Sequence, residues 1–258
     1  MEKKGLQLFD LTGKNAIVTG ASKTTGLCYG MAKALNDAGA TVVLMDVSEE
    51  VFNLAKNLGG EEMGFYAVQA DLTDEATIEA KFNEAVGLLG GRLDILVNGA
   101  GIQYRCDAID FPFDKWMKVI DINLNSVFRV SQLAGKIMLA QGYGRIINIA
   151  SMTSFFGSKR IPAYAASKGG IMQLTKALSN EWCGKGVNVN AIAPGYMLTE
   201  FWIGKTDTEQ GRANSARIPA GRWGVAEDLA GVTIFLASDA SSYVSGAIIP
   251  VDGGYLGA

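Results

Sequence analysis

The stretch that decides the fold is NAIVTGASKTTG, residues 15–26. A β-branched, apolar run ends at Thr19 and passes into a turn bounded by Gly20 and Gly26, after which the sequence takes on helical spacing. A strand, turn and helix in this order point the backbone amides of the helix N-terminus at a phosphate group. The stretch therefore predicts the first βα unit of a nucleotide-binding fold.

The same pattern of a short apolar run followed by a helical segment recurs along the chain. Six more runs stand at residues 41–45, 65–69, 93–97, 145–149, 187–192 and 247–251. Nearly continuous apolar strands that alternate with helices are typical of a parallel sheet buried on both faces. Because no repeat or linker interrupts the pattern, we predict one α/β domain over residues 1–258. Its expected fold is a Rossmann-like, doubly wound parallel sheet of about seven strands with helices on both faces.

Composition and charge exclude several classes of partner. The 258 residues carry a net charge of -3 without a basic block, so neither nucleic acids nor membranes are expected partners. The first residues contain no long apolar run, and the three cysteines stand far apart with no CxxC pair. We therefore predict a cytoplasmic protein without disulfides. Charged residues make up only 19% of the chain, which favours a homo-oligomer whose subunits cover part of the surface.

The sequence contains no histidine. This excludes Ser-His-Asp hydrolases, histidine-ligated zinc sites and every other mechanism that uses imidazole as base, proton shuttle or ligand. Acid and base chemistry must then come from Tyr, Lys, Asp, Glu or Cys, and no metal site is predicted.

Asp46 strengthens the interpretation of the Gly-rich turn as a dinucleotide site. It stands at the end of the second predicted strand, 20 residues beyond Gly26, where a carboxylate can bind the ribose hydroxyls of adenosine. That carboxylate would repel a 2′-phosphate and so favours NAD over NADP, whereas Lys23 favours NADP. The alternative is that Asp46 only caps the following helix.

Two more strand ends carry candidate cofactor residues. Asp71 follows the third strand and is expected to reach the adenine edge, to cap a helix that begins at residues 73–75, or to do both. The fourth strand ends in Asn98-Gly99-Ala100-Gly101, small residues that let the chain pass close to a ribose.

Tyr164 and Lys168 are the candidate catalytic pair. They stand four residues apart on a helix predicted over residues 164–178, so they project from one face. The charge of Lys168, together with that of an oxidised nicotinamide, is expected to lower the pKa of Tyr164 toward the operating pH. Tyr29 and Lys33 have the same spacing, but we interpret them as surface and packing residues.

Ser151 distinguishes the first pair from the second. It lies at the carboxyl end of the fifth predicted strand, where open parallel sheets bind their ligands. The three residues predict hydride transfer between a nicotinamide and a secondary hydroxyl or carbonyl. In this scheme Tyr164 takes the hydroxyl proton, Lys168 tunes Tyr164 and holds the nicotinamide ribose, and Ser151 orients the substrate oxygen.

Together these motifs resemble the short-chain dehydrogenase/reductase family over the whole chain. The matching pieces are residues 19–26, 98–101, 121–124, 151, 164–168 and 194–199. The resemblance implies a Ser-Tyr-Lys site completed by Asn123, which orders a water relay from Lys168 to solvent. It implies that the stretch from Pro194 to Thr199 receives the nicotinamide carboxamide, and that four subunits associate. Candidate subunit contacts are Trp182, Tyr243 and residues 253–255.

The predicted cofactor-binding residues combine both lines of reasoning. They are Gly20, Ser22, Lys23, Thr24, Thr25, Gly26, Leu27, Asp46, Asp71, Leu72, Asn98, Gly99, Ala100, Tyr164, Lys168, Pro194, Gly195, Met197 and Thr199. Two positions depart from the family pattern. Thr24 replaces the second glycine of TGxxxGxG, which puts the shape of the turn in question, and Gly99 replaces the second asparagine of NNAG, which is expected only to loosen the strand end.

Within the family, the segments around Ser151, Pro194 and Arg217 most resemble sugar-acid and polyol dehydrogenases. The predicted substrate-binding residues are Gln103, Arg105, Ser151, Thr153, Tyr164, Tyr196 and Trp202. Arg105 is either a ligand for a substrate carboxylate or a solvated loop residue. Residues 198–224 form either a substrate lid or an ordinary surface loop.

Three alternatives stay open. A 3-oxoacyl thioester reductase shares the motifs, although Asp46 disfavours its usual NADP. A steroid or xenobiotic alcohol dehydrogenase needs an apolar pocket, which Phe155, Phe156, Phe201 and Trp202 would supply. A non-catalytic nicotinamide-sensing module would share the fold but has no need of the three catalytic residues.

Overall fold

The computed structural model describes residues 4–200 and 202–258. Its strands are β1 (Asn15–Thr19), β2 (Thr41–Asp46), β3 (Phe65–Gln69), β4 (Ile95–Asn98), β5 (Gly144–Ile149), β6 (Val187–Pro194) and β7 (Ile248–Val251). They pair in parallel in the order β3-β2-β1-β4-β5-β6-β7. The predicted seven-stranded parallel sheet is confirmed. Phe201 lies outside the described residues.

Helices connect the strands on both sides of the sheet. They are α1 (Leu27–Asp37), α2 (Glu50–Asn57), α3 (Ile78–Leu88), α4 (Phe113–Ile120), α5 (Ser126–Gln141), α6 (Pro162–Trp182), α7 (Glu209–Ser215) and α8 (Ala230–Ala237). A π-helical turn over Asp121–Asn125 joins α4 to α5.

Alternating strand residues build two separate cores. Val18 and Leu44 pack in a cluster with side chains of α1, α2 and α8. Ile17 and Val43, one residue away on the same strands, pack in another cluster with side chains of α3 and α5. Because successive strand residues point to opposite faces, continuous apolar strands are what a sheet covered on both faces requires.

The strand order reverses between β1 and β4. The chain leaves β1 for β2 on one side and later returns to pair β4 with the other side of β1. The connections that follow these two strands therefore run in opposite directions and leave a crevice at their carboxyl ends, where such sheets bind ligands.

Two of the predicted boundaries that differ from the structure have a clear physical reason. β4 begins at Ile95 and not at Leu93, because the backbone of Leu93 pairs with the side-chain amide of Gln141 at 3.1 and 2.7 Å. The helix after Asp71 begins at Ile78 and not at residues 73–75. The Asp71 carboxylate accepts hydrogen bonds from the backbone and hydroxyl of Thr73, which makes a turn before the helix.

The three candidate subunit contacts have different environments. Tyr243 is fully exposed, whereas Tyr255 is buried within its own chain and the Trp182 ring packs on Gly135. Tyr255 is therefore a core residue of the protomer; the oligomer and its contacts stay predictions. Within the described ranges, no helix is both long and apolar enough to cross a bilayer.

Candidate active site

A cleft of about 840 Å³ opens at the carboxyl ends of β1, β2, β3 and β4. Its volume is in the range of known small-molecule sites. Nine of the predicted cofactor residues line it, namely Gly20, Ser22, Lys23, Gly26, Asp46, Asp71, Leu72, Gly99 and Ala100. The strand ends thus bring together residues from four separate parts of the sequence, as predicted.

Gly20 is the residue that lets β1 and β4 end close together. Its φ is +75°, and a Cβ at this position would lie 2.6 Å from Cα of Ala100 and 2.7 Å from its backbone nitrogen. Only glycine combines this backbone conformation with such a close approach. The floor of the cleft is therefore shaped by the absence of a side chain at Gly20.

The Gly-rich turn keeps a regular shape although Thr24 replaces a glycine. The Gly26 amide donates to the Lys23 carbonyl at 2.9 Å and closes the turn. Among the described non-glycine residues only Arg160 has a positive φ, so Thr24 adopts a conformation open to any L residue. The turn is therefore intact with threonine at position 24 and leads directly into α1.

Some predicted residues of the turn lie beside the large cleft and do not line it. Thr24 and Thr25 line a neighbouring cavity together with Glu50 of α2, and Leu27 packs against the core at the start of α1. Their backbone position at the N-terminus of α1 is the feature that suits a pyrophosphate.

Lys23 forms an ion pair with Glu200, which comes from the segment after β6. This hydrogen bond raises the pKa of Lys23, and Asp46 adds to the effect. The ammonium group is thus paired with the Glu200 carboxylate. A side chain that the sequence associated with a 2′-phosphate is therefore directed toward an acidic group of its own chain.

Asp46 and Asp71 stand at the edge of the cleft. The Asp46 carboxylate accepts the Ser48 amide at 3.0 Å and does not cap α2, which begins at Glu50. The alternative in which Asp46 merely caps that helix is wrong. Both carboxylates line the cleft, and their contact with an adenosine stays a prediction.

The structure gives Asn98 and Gly99 other roles than those that the sequence predicted. The Asn98 side chain is buried and donates to Ser131 and Asn148, both at 2.9 Å, so it ties β4 to α5 and β5 and does not face the cleft. A Cβ on Gly99 would lie 2.2 Å from Sγ of Cys28. Gly99 therefore does more than loosen the strand end, because it accommodates a buried thiol.

Ser151 caps a short helical turn directly after β5. Its hydroxyl oxygen accepts the Thr153 amide at 3.1 Å and the Thr153 hydroxyl at 3.0 Å. The Ser151 amide donates to the Ser154 hydroxyl, which donates in turn to the Lys168 carbonyl at 2.6 Å. This network orients the Ser151 hydroxyl and fixes its distance from α6.

Tyr164 and Lys168 project from the same face of α6 as predicted. The Lys168 Nζ atom lies 5.7 Å from the centre of the Tyr164 ring and donates to the Ile149 carbonyl at 2.6 Å. Tyr29 and Lys33, which have the same spacing, are a surface feature as predicted, because Lys33 forms an exposed ion pair with Asp37.

The protein's own groups do not lower the pKa of Tyr164. Burial raises the pKa of its phenol, and the Ser151 hydroxyl opposes that shift. Burial also lowers the pKa of Lys168 from 10.5 to about 8, while the Cys28 thiol opposes the change. The lowering expected from Lys168 together with an oxidised nicotinamide stays a prediction.

The depressed pKa of Lys168 predicts a pH-dependent difference in stability. Between pH 8 and 10.5 the unfolded chain holds this proton more tightly than the folded chain, so the contribution of Lys168 to folding becomes more favourable as pH rises. Lys168→Met removes the group. The unfolding free energy of this variant minus that of the native protein should therefore fall across this range.

Urea unfolding of both proteins at several pH values measures this difference. Burial raises the pKa of Cys28 and of Tyr164, which makes the folded state less stable as pH rises, and taking the difference removes the part of these contributions that does not depend on Lys168. A difference that stays constant or grows with pH would show that the Lys168 ammonium is not penalised by burial.

Asn123 sits in the π-helical turn between α4 and α5. Its side chain pairs with the backbone of Ile102, accepting from the amide at 2.8 Å and donating to the carbonyl at 2.9 Å, and it donates to Ser167 at 3.2 Å. A Cβ on Gly101 would touch both Asn123 and the Lys168 ammonium group. The structure thus brings Asn123 beside Lys168, as the resemblance implied.

The stretch from Pro194 to Thr199 follows β6. Gly195 packs against the backbone of Asp252, where a Cβ would lie 2.6 Å from Cα. Met197 then forms an isolated parallel bridge with Gly224. The segment of residues 198–224 therefore begins and ends at one point, a geometry compatible with the predicted lid.

The predicted substrate residues divide into two groups. Tyr196 and Trp202 belong to an aromatic cluster that also contains Met152, Trp223 and Tyr255. The other predicted substrate residues lie outside this cluster. Thr153 is buried against Ser151, and the side chains of Gln103 and Arg105 are exposed on the loop after β4.

Several residues of the site were missed by sequence reasoning. They are Cys28, Glu200, Ser154, Ser167 and the π-helical turn, together with Asp114, Met117 and Lys118 of α4, which line the cleft. A hydroxyl that bonds a backbone carbonyl leaves no sequence signal. Only the helical register relative to Tyr164 would have placed Ser167 near Asn123.

The part of the chain that the structure covers contains no cluster of side chains that could bind a metal ion. There, no group of three or more Cys, Asp or Glu side chains is arranged to hold an ion. The organic cofactor site, by contrast, is built from a glycine floor, a helix N-terminus and two carboxylates.

Comparison with known proteins decides the family. Residues 20–256 match the family model described as enoyl-(acyl carrier protein) reductase. The chain is 46% identical, over 98% of its length and 99% of the relative's, to 2-dehydro-3-deoxy-D-gluconate 5-dehydrogenase of Pseudoalteromonas atlantica. The chain belongs to the short-chain dehydrogenase/reductase family. It is thus an NAD(P)-dependent oxidoreductase that acts on CH–OH groups.

Two solved structures from the same family superpose closely on the fold. A putative NAD(P)-dependent gluconate 5-dehydrogenase from Beutenbergia cavernae with bound NADP has a TM-score of 0.92 at 41% identity, covering 97% of this chain and 100% of that one. A gluconate 5-dehydrogenase from Burkholderia cenocepacia in complex with NADP and tartrate has a TM-score of 0.91 at 37% identity, covering 97% and 98%.

Proposed function

We propose that this short-chain dehydrogenase/reductase moves a hydride between NAD(H) and a secondary hydroxyl or carbonyl of a sugar acid or related polyol. One observation carries the proposal. The Lys168 Nζ atom lies 5.7 Å from the centre of the Tyr164 ring on α6, and the Ser154 hydroxyl links the Lys168 carbonyl to the Ser151 amide at the carboxyl end of β5. This arrangement offers a proton acceptor and an orienting hydroxyl to one substrate oxygen.

Each side chain has a separate task in the oxidation. Tyr164 acts as the phenolate. Ser151 donates to the substrate oxygen and holds it against the Tyr164 oxygen, which takes the hydroxyl proton. A bound oxidised nicotinamide supplies the hydride acceptor and a positive charge. Lys168 stabilises the phenolate, and the proton that Tyr164 has taken leaves to solvent by the water relay that the family resemblance implies at Asn123. The reverse reaction uses the same groups with Tyr164 as the acid.

Sugar acids are favoured as substrates by the relatives and by one side chain. The relatives are named for deoxygluconate and gluconate, both sugar acids, and the Burkholderia structure holds tartrate, a dicarboxylate. Arg105 lies on the loop after β4, whose Cys106 amide donates to the Arg160 carbonyl at 2.9 Å, just before α6. We propose that Arg105 binds the substrate carboxylate.

NAD is proposed as the preferred cofactor. Asp46 at the end of β2 lines the cleft, and Lys23 is paired with Glu200, so a 2′-phosphate would meet negative charge. The bound NADP in both related structures favours the other cofactor. The preference for NAD over NADP therefore depends on Asp46.

Asp46→Asn tests this dependence. Removal of the charge should raise kcat/KM with NADP relative to NAD by roughly 10- to 100-fold, since a like-charge contact costs on the order of 1–3 kcal/mol. Asp37→Asn, on the surface of α1, is the matched control. An unchanged ratio would show that Asp46 does not select the cofactor.

A turnover panel tests the substrate class. The purified protein is assayed with NAD and with NADP on sugar acids, polyols, steroid and other secondary alcohols, and 3-oxoacyl thioesters. Reduction of NAD by a sugar acid or polyol supports the proposal. Turnover confined to apolar alcohols or thioesters would replace it with one of those activities, and cofactor binding without any turnover would favour the sensing module.

A further inference from the structure

We propose that Glu200 is a second cofactor-selecting residue, which disfavours NADP by holding the Lys23 ammonium group away from the 2′-phosphate. Asp46 would repel that phosphate directly, whereas Glu200 acts through another side chain. The inference rests on the proposed function, because it takes the adenosine ribose to bind beside Asp46. It adds a selecting residue from the segment after β6, which is far from β2 in the sequence.

Lys23 lies on the boundary between two cavities. It lines the large cleft together with Asp46, the residue that ends β2. It also lines the neighbouring cavity of about 380 Å³ together with Glu200. The flexible stem of a lysine lets one ammonium group turn to either side. Lys23 can therefore serve a phosphate in the cleft or a carboxylate in the neighbouring cavity.

In the structure, the Lys23 side chain is turned toward the neighbouring cavity. Its Nζ atom donates a hydrogen bond to the Glu200 carboxylate and forms an ion pair with it. Each of the two side chains is 65% exposed. Exposed pairs of this kind contribute at most about fivefold to an equilibrium constant. Glu200 therefore biases the choice of cofactor and does not exclude NADP outright.

The backbone on both sides of Glu200 is held by hydrogen bonds. The Leu198 amide donates to the Gly224 carbonyl at 2.8 Å, and the Trp202 amide donates to the Thr199 carbonyl, also at 2.8 Å. Glu200 thus stands in a turn at the start of the segment of residues 198–224. The fold itself presents this carboxylate to the Gly-rich turn that precedes α1.

The difference in charge between the two cofactors makes this pairing selective. A phosphate monoester carries a charge of about -1.5 to -2 near neutral pH, whereas NAD has a neutral hydroxyl at the same position. The pyrophosphate is common to both cofactors, so its interaction with Lys23 cancels in their ratio. Release of Lys23 from Glu200 would therefore favour NADP over NAD.

The test measures the binding of NADH and of NADPH without substrate, by the fluorescence of the reduced nicotinamide. Glu200→Gln is expected to tighten NADPH binding by about three- to tenfold and to change NADH binding by less than about twofold. In a Lys23→Met background the same substitution should lose most of this gain, because methionine has no charge for Glu200 to hold. The gain should also shrink in about 1 M salt, which screens exposed charges.

Glu209→Gln, which changes an exposed carboxylate of α7 on the same segment, is the matched control and should leave both affinities unchanged. Thermal unfolding checks that each variant folds. Equal changes for NADPH and NADH, or a gain that persists in full with Lys23→Met, would overturn the role of Glu200 and leave the proposed hydride transfer in place. If the native protein bound neither cofactor, the proposed function itself would fail, and this inference with it.

Discussion

Tyr164→Phe is expected to lower kcat by about 10²- to 10⁴-fold, the usual contribution of a positioned acid or base. The substitution removes one hydroxyl and keeps the ring, so the packing of α6 should persist. Affinity for NAD should stay close to that of the native protein, because the phenol acts on the substrate oxygen. Steady-state turnover and a cofactor titration by fluorescence measure the two effects separately.

Tyr29→Phe provides the matched control, since Tyr29 and Lys33 repeat the same spacing on α1. Lys33 is paired with Asp37 at the surface, so this variant should retain native turnover. If the two variants had similar kcat values, Tyr164 would not be the acid or base, and the mechanism built on Ser151 and Lys168 would have to be abandoned.

Gly20→Ala is expected to destabilise the fold and to disrupt the cofactor cleft. A Cβ at this position would stand 2.6 Å from the backbone of Ala100 with φ at +75°, and backbone atoms cannot move aside as a side chain can. Overpacking and the left-handed conformation together cost about 2–5 kcal/mol. In a protein of this size the midpoint of thermal unfolding should fall on the order of 10 °C.

Gly13→Ala separates the two causes. Gly13 also has φ at +75°, but a Cβ there meets no atom within 4 Å. The unfolding free energy of this variant should fall only by the cost of the left-handed conformation, about 1–2 kcal/mol, and the variant should bind NAD normally. Equal stability of the two variants would show that the contact between β1 and β4 is relaxed at little cost, contrary to the close approach in the structure.

The sheet was predictable because its strands are buried on both faces. Asn15–Thr19 and Phe65–Gln69 have the predicted bounds, and the remaining strands differ by one to two residues at an end. Such strands are continuous apolar runs, which glycine and charged residues interrupt sharply. The observed boundaries differ from the predicted ones where a side chain binds the backbone, as Gln141 does at Leu93 and Asp71 does before α3.

The catalytic end was predictable from local spacing, since Tyr164 and Lys168 share a helix and Ser151 ends a strand. Relationships between distant segments were not. The contact of Cys28 with Gly99, the ion pair of Lys23 with Glu200, and the approach of Arg217 to Tyr255 all join parts of the chain far apart in sequence. Only the fold determines which side chains such segments bring together.

Polar residues were the least predictable part of the cleft. Asn98 stands at a strand end beside the cofactor site, yet its side chain turns inward to bind Ser131 and Asn148. Sequence position gives the strand end but not the direction of the side chain. Direction depends on the pleat and on whether a buried amide finds a partner.

Transfer of a deuterium label tests the central claim most directly. A sugar acid carrying deuterium on the carbon of the reacting hydroxyl is oxidised with NAD, and the reduced cofactor is examined by NMR. We predict that the deuterium appears on the nicotinamide ring, with no such transfer by Tyr164→Phe over the same period. Oxidation of the substrate with loss of the label to solvent would contradict direct hydride transfer and the function proposed for this protein.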